Sequence, residues 1–403
     1  MQRSYKLLGL AVVAAMSLAA CSKKDDAANS TAGTAAAPTA AASGEVIKIG
    51  HAAPLTGGIA HLGKDNENGA RLAVEEVNKA GGLTLGGKKY TLELMAEDDA
   101  GDPKQGNVVA QKMVDAKVAG VVGHLNSGVS IPANAVYAQA GVVQITPSST
   151  NPKYTLEGKK SAEGKVTSYR VVATDAQQGP ALGNYAIKTL GAKSIAVIDD
   201  ATEYGKGLAD QVERVAKEAN VKVVAREATT NTATDFKAIL TKIKSKNPDV
   251  VMFGAMDDTV AKLALQMKQL GLKARLMSGD GACTGKFIEL AKDAAAGLVC
   301  TEAGLPLEKM PKGGEFRTKF KDRFGADVQI YAPFSYDAVY AIVEAMKKAD
   351  SSDPKKILEQ MPNVSFAGVT GNVSFDQKGD LKEGAITVYE VKDGKKEVVA
   401  VVK

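Results

Sequence analysis

The sequence predicts an α/β protein built as two doubly wound parallel-sheet lobes with a cleft between them. Three observations predict it. At 403 residues the chain exceeds what one compact core usually holds. From Glu45 onward short apolar runs alternate with helical periods, which is the order of parallel sheets covered by helices on both faces. The runs also fall into two groups, before about residue 170 and after about residue 190, which divides the strands between two sheets.

The first element is a leader. MQRSYK carries two positive charges, and the largely apolar run of 14 residues that follows is too short for an ordinary spanning helix. Residues 1–20 therefore read as an export signal. Its end, Leu18-Ala19-Ala20-Cys21, resembles the lipobox of bacterial lipoproteins, which implies a lipid on Cys21. Residues 21–44 are rich in Ala, Ser and Thr without periodicity and read as a flexible tether. The formal charge of +5, two units of which sit on Arg3 and Lys6, is too small and too scattered for a nucleic-acid or membrane-surface patch.

Strands are expected at 46–53, 90–98, 118–125, 142–146, 194–200, 221–228, 249–256, 275–279 and 297–303. Ala70, Ala73, Val74 and Val77 mark a helix that Gly81-Gly82 stops. Further helices are expected around 104–116, 130–140, 178–190, 206–219, 234–246, 259–270 and 335–348. Ligands of such folds bind beyond the carboxyl ends of the strands, so the inter-lobe crevice is the expected site. Beyond Cys21 only Cys283 and Cys300 remain. An exported protein sits where disulfides persist, and a bridge over this loop is worth roughly 3 kcal/mol. Two thiols without a nearby His make a poor metal site.

Enzyme signatures are few. GGLTLGGKK (81–89) nearly matches a phosphate loop, but Lys89 replaces the magnesium-binding hydroxyl and the segment follows a helix, so it reads as a turn. His51, His61 and His124 lack metal spacing and are each expected near a strand end. Asp98-Asp99 are expected to cap the helix beginning near Pro103. No metal and no cofactor is expected.

Features that suit binding are more numerous. GHLNSGVSIP (123–132) runs from strand into helix, with Ser127 or Ser130 at an N-terminus whose free N–H groups favour an anion. VVQITPSSTNP (142–152) ends a buried strand in four hydroxyls between two prolines. In the second half, MSGDGACT places Asp280 between glycines just after a strand. Donors facing one carboxylate complement a zwitterion, with the α-carboxylate at the hydroxyls and the ammonium at Asp280. Taken singly, the serines are equally well helix caps and Asp280 a turn residue.

Together LGKDNENGARLAVEEVNKAGG, DDAGDPKQ, VVGHLNSGVSIPA, ITPSSTNP, YRVVATDAQQGPALGNYA and TEYGKGLAD resemble the branched-chain amino-acid binding proteins of ABC importers, from about Glu45 to about Val391. The resemblance implies a type I periplasmic binding protein fold with three crossings, near 173–176, 301–303 and 384–386. Lobe one would then be 45–173 plus 303–384, and lobe two 176–300 plus 386–403. The family's carboxylate and ammonium contacts fall on Ser127, Ser148 and Thr150, the acid on Asp280, and a tyrosine over the ligand on Tyr204. Where relatives carry a cysteine pair this chain has Gly101 and Asn126. Leu62 and Met256 stand at pocket positions where relatives carry tyrosines, and Tyr331 keeps an aromatic. Leu62, Leu125, Met256 and Tyr331, with Asn126 beside them, imply an apolar side-chain pocket.

The expected function is capture of an apolar amino acid, Leu, Ile or Val, and its delivery to an ABC permease by a monomer lipid-anchored on the periplasmic side of a bacterial membrane. The alternatives are a sensor of the same fold for amides, urea or aromatic acids, which the lack of an apolar span after the cleft disfavours, and an exported α/β enzyme, for which no nucleophile–base pair is visible.

Overall fold

A computed structural model describes residues 44–403. The leader at 1–20, Cys21 and nearly all of the tether lie outside the described residues. The first sheet contains β1 (Glu45–Ala53), β2 (Leu83–Leu85), β3 (Lys88–Asp98), β4 (Gly120–Gly123), β5 (Gln144–Thr146) and β6 (Ser168–Arg170), in the order β2-β3-β1-β4-β5-β6. All neighbours are parallel except the hairpin β2–β3. The segment that nearly matched a phosphate loop is that hairpin. Gly86 and Gly87 turn it at φ of +55° and +75°, which glycine adopts at little cost.

The second sheet contains β7 (Ser194–Asp199), β8 (Lys222–Ala228), β9 (Val250–Gly254), β10 (Arg275–Ser278) and β11 (Val299–Glu302). After a small hairpin, β12 (Ser365–Ala367) and β13 (Asn372–Ser374), it is completed by the antiparallel β14 (Ile386–Lys392) and β15 (Lys395–Val402). Its order is β15-β14-β11-β10-β9-β7-β8. β6 is only three residues long, and β15 mixes charged and apolar residues on an edge, so neither stands out as an apolar run.

The helices are α1 (Ala60–Lys79), α2 (Pro103–Asp115), α3 (Ser127–Ala140), α4 (Lys153–Leu156), α5 (Asp175–Asn184), α6 (Glu203–Glu218), α7 (Lys237–Lys244), α8 (Asp257–Gln269), α9 (Gly285–Ala291), α10 (Gly313–Phe324), α11 (Ala332–Ala349) and α12 (Pro354–Gln360). Strand alternation feeds both faces of each sheet. Ile47, Ile49 and Val122 join a core with α1 and α11, while Ala52 and Val121 join one with α2 and α3. In the second sheet Ile195, Val197, Val250 and Met252 face α6, whereas Ala196, Ile198, Val251 and Phe253 face α7, α8 and α9. α1 packs on α11, so the first sheet is closed by a helix from the far end of the chain.

Two local expectations are corrected. Asp102, not Asp98 or Asp99, caps α2, accepting from Lys104 N at 2.8 Å and Gln105 N at 2.9 Å. A turn through Ala100 and Gly101, both at positive φ, separates the acid pair from the helix. Asp98 instead accepts from Leu55 N and Ala100 N, and Asp99 from Gly101 N. His61 does not sit near a strand end. It lies in the first turn of α1.

Cys283 and Cys300 are joined with their Cα atoms 5.3 Å apart. The bridge runs from the turn after β10 to its parallel neighbour β11, where Ser278 pairs with Cys300.

Candidate binding cleft

The strand ends answer why β5 dissolves into hydroxyls. Thr146 Oγ1 donates to His124 O at 2.8 Å and accepts from Ser149 N at 2.9 Å. Ser149 Oγ reaches Leu125 O at 3.0 Å and Ser130 Oγ at 2.7 Å. These two hydroxyls satisfy loop backbone that no strand pairs, and so they fix the shape of the wall. Ser148 Oγ donates to Leu125 O and accepts from Asn66 Nδ2, both at 3.2 Å. Ser127 Oγ, at the start of α3, accepts from Asn151 N at 3.2 Å and ties the two loops together. Thr150 Oγ1 differs, being buried without a hydrogen-bond partner.

The opposite wall is built around Asp280, which is buried in a single turn of 3₁₀ helix after β10. Its Oδ1 accepts from Tyr204 OH at 2.9 Å and from Gln178 Nε2 at 3.0 Å, and its Oδ2 accepts from Tyr331 OH at 2.9 Å. Burial pushes its carboxyl upward, against the pull of those three donors. The flanking glycines let the tyrosine approach. A Cβ on Gly279 would stand 2.6 Å from Tyr204 Oη, and one on Gly281 would stand 2.8 Å from Met256 Sδ. Tyr331 is placed by Asp65, whose carboxylate accepts the N–H groups of Gln329, Ile330, Tyr331 and Ala332 at the start of α11.

Leu62, Leu125 and Tyr331 share one apolar cluster with Ala53 and Ile330, and Met256 packs against it. The four expected pocket residues thus meet. Beside them a cavity of about 510 Å³ opens between Ile59, Gly101 and Asn126 on one side and Tyr204, Met256 and Lys262 on the other. Three further contacts span the cleft: His61 Nε2 to Asp257 Oδ2 at 2.8 Å, Lys153 Nζ to Glu203 Oε2 at 3.1 Å, and Asn151 Nδ2 to Glu203 O.

The other histidines serve the scaffold. His124 lies between Asp99 Oδ2 at 2.7 Å and Tyr137 OH at 3.1 Å, wholly buried behind the hydroxyl loops. His51 is buried within β1, and desolvation lowers it to about 4.

Sequence reasoning missed Asp175, Gln178, Thr301 and Asp65. Gln178 Oε1 accepts from Thr301 Oγ1 at 2.7 Å, which turns its Nε2 toward both Asp280 and Asp175. The TDAQQG segment held that signal, since Asp and Gln three apart on a helix share a face.

The sequence matches the family described as periplasmic binding protein over residues 46–396. It is 37% identical over 348 residues to a leucine-, isoleucine-, valine-, threonine- and alanine-binding protein of Pseudomonas aeruginosa, covering 86% of this chain and 90% of that one. The structure is similar to the leucine-binding protein LivK of Thermotoga maritima, with a TM-score of 0.80, 28% identity, and coverage of 88% of this chain and 98% of the other. It is also similar to the branched-chain amino-acid binding protein LivJ of Streptococcus pneumoniae in complex with isoleucine, with a TM-score of 0.78, 27% identity, and coverage of 89% and 99%.

Proposed function

The chain belongs to the periplasmic binding protein family, and from that premise we propose that it captures a free apolar amino acid between its lobes and delivers it to an ABC permease. The observation that carries this reading is the buried Asp280 with its three side-chain donors, standing across the cleft from the loops of Ser127, Ser148 and Thr150. An ammonium would meet Asp280 and the unpartnered Thr150 hydroxyl, and an α-carboxylate the start of α3 with Ser127. Tyr204 would lie over the ligand. Leu62, Leu125, Met256 and Tyr331 would hold the side chain, with Asn126 toward the mouth. A ligand lacking either charge would leave a buried polar group unmatched, which is the physical basis of selectivity for a whole amino acid.

Lobe one in this reading is 45–173 with 303–384, and lobe two is 176–300 with 386–403, so the chain crosses near 173–176, 301–303 and 384–386. Export, a lipid on Cys21, retention of the Cys283–Cys300 bridge and action as a monomer belong to the same proposal. Leu, Ile and Val are the expected ligands. The relative named for Thr and Ala as well, and the pliable thioether of Met256, favour a pocket that tolerates smaller side chains.

Calorimetric titration of the soluble chain, refolded to strip carried-over ligand, tests this against Leu, Ile, Val, Thr, Ala and charged amino acids. Binding of the apolar set alone is expected. Silence across the panel overturns the assignment.

A further inference from the structure

Asp280 does not stand alone. Asp175, the first residue of α5, places its Oδ1 3.2 Å from Gln178 Nε2, the nitrogen that also donates to Asp280 Oδ1. Two buried carboxylates therefore share the two protons of one side-chain amide, and the Thr301 hydroxyl fixes that amide in the required orientation. Asp280 has two further donors in Tyr204 and Tyr331 and is the member suited to stay ionised. Asp175 Oδ2 and Thr150 Oγ1 make no hydrogen bond of good geometry, yet the Thr150 hydroxyl lies close enough to Asp175 to pull its carboxyl downward.

The surrounding charges offer little relief. The cation that acts on Asp175 is Arg170 of β6, whose guanidinium is occupied by Asp380, Thr155 and the carbonyls of Ser149 and Asn151. From α6 the facing titratable group is Tyr204, and Glu203 of that helix pairs with Lys153. Glu302 of β11 turns away to Tyr389 and Lys396. Tyr331 faces the pair from the start of α11.

We infer that Asp175 is a second specificity-determining carboxylate: with Asp280 it makes closure of the lobes depend on the arrival of a positive charge, so that a ligand bearing an ammonium is admitted and its deaminated analogue is refused. This rests on the amino-acid reading of the cleft. Gln178 and Asp280 lie in lobe two of that reading and Asp175 in the crossing that leads into it, three residues before Gln178 on the same helix, so the shared amide keeps the acids together when the lobes part and water screens them. Thr150 stays beside Asp175, whose N–H donates to its carbonyl at 2.8 Å, and closure brings Tyr331 over the pair and removes the water. Two like charges at such range cannot both stay ionised in a dry site unless a cation joins them. The ammonium is that cation, and without it one proton must be taken from solvent.

Burial and the charge of Asp280 raise Asp175 from its ordinary 3.8 to about 8 in the closed arrangement. Closure without a cation therefore takes up a proton between those two values. It is favoured by acid, and it weakens as pH rises through that window by up to about tenfold per pH unit.

The test pairs two measurements on the full mature chain and on Asp175→Asn. Calorimetry compares leucine with 4-methylpentanoate, which keeps the carboxylate and side chain but lacks the ammonium. Small-angle scattering follows the radius of gyration without ligand from about pH 5 to about pH 9. The expected results are a leucine preference reduced at least about tenfold in Asp175→Asn, a wild-type chain more compact in acid, and a variant whose radius no longer responds to pH. An unchanged preference in a folded variant overturns this inference and leaves the amino-acid reading intact. If wild type binds no amino acid, that reading falls, while the scattering profile still supports or overturns the closure effect. Should Asp175→Asn fail to fold, a wild-type radius constant across the range overturns the inference by itself.

Discussion

The two walls of the cleft are built on different principles. The first is made of strand-end loops whose hydroxyls mostly serve their own backbone: Thr146, Ser148 and Ser149 bind the carbonyls of His124 and Leu125. The second presents a carboxylate held by long side chains drawn from distant segments, namely Tyr204, Gln178 and Tyr331. The hydroxyls of the first wall mostly bind backbone between His124 and Asn151, with Asn66 and Arg170 bracing them from outside, and a change there is felt as a change in the loop. The second is assembled over long range, and a change there is felt as a charge left without partners.

The sharpest way to break this contrast is Asp280→Ala. Removing the acid leaves an ammonium unmatched, and binding should fall by at least about 3 kcal/mol, roughly a hundredfold or more, with the melting temperature nearly kept. Unchanged titration heats would mean that the second wall is not the acceptor. Next in size is Cys283→Ser with Cys300→Ser. The bridge joins the Asp280 turn to β11, so its loss should cost about 2–4 kcal/mol of unfolding free energy in urea. Affinity should fall less than in Asp280→Ala.

A pair of substitutions within the first wall sharpens the contrast further. Thr150→Val removes a hydroxyl that makes no well-formed protein hydrogen bond and faces only the Asp175 carboxyl, so affinity should drop by about 1–2 kcal/mol while stability holds. Thr146→Val removes one that serves three backbone groups, so stability should drop by about 1–3 kcal/mol. Equal effects on melting would erase the distinction between recognition and loop-shaping hydroxyls. The smallest effect is expected from Met256→Leu, below about 1 kcal/mol overall, seen as a changed ranking among Leu, Ile and Val in competition titrations.

What the sequence disclosed follows the same division. The hydroxyl wall was legible because a buried apolar run ending in small polar residues is a local pattern, and Asp280 was legible because a lone acid between glycines follows a strand. Bringing Leu62, Leu125, Met256 and Tyr331 together needed the family resemblance, since spacing gives no hint that residues nearly three hundred apart in the chain share one cluster. Asp65, which seats Tyr331, was not legible, and for Gln178 only its shared face with Asp175 was, not its bridge to Asp280. Their partners lie far along the chain, and each sits in a helix whose amphipathic pattern accounts for it equally well as a surface residue. The misplaced α2 cap has a nearer cause: two extra turn residues separate Asp99 from the helix, and acidic residues recur at 98, 99 and 102.

The return of the chain to its first sheet carries a consequence for how the molecule is made. α1 packs against α11, and the backbones approach so closely that a Cβ on Gly69 would lie 2.1 Å from Ala332 O. During synthesis the strands from β1 to β6 emerge long before the helix that covers one of their faces. Pairing of this kind, remote in sequence, is slow because a long loop must close before any contact rewards it. The nascent first half is thereby kept from closing its sheet until α11 arrives to cover it.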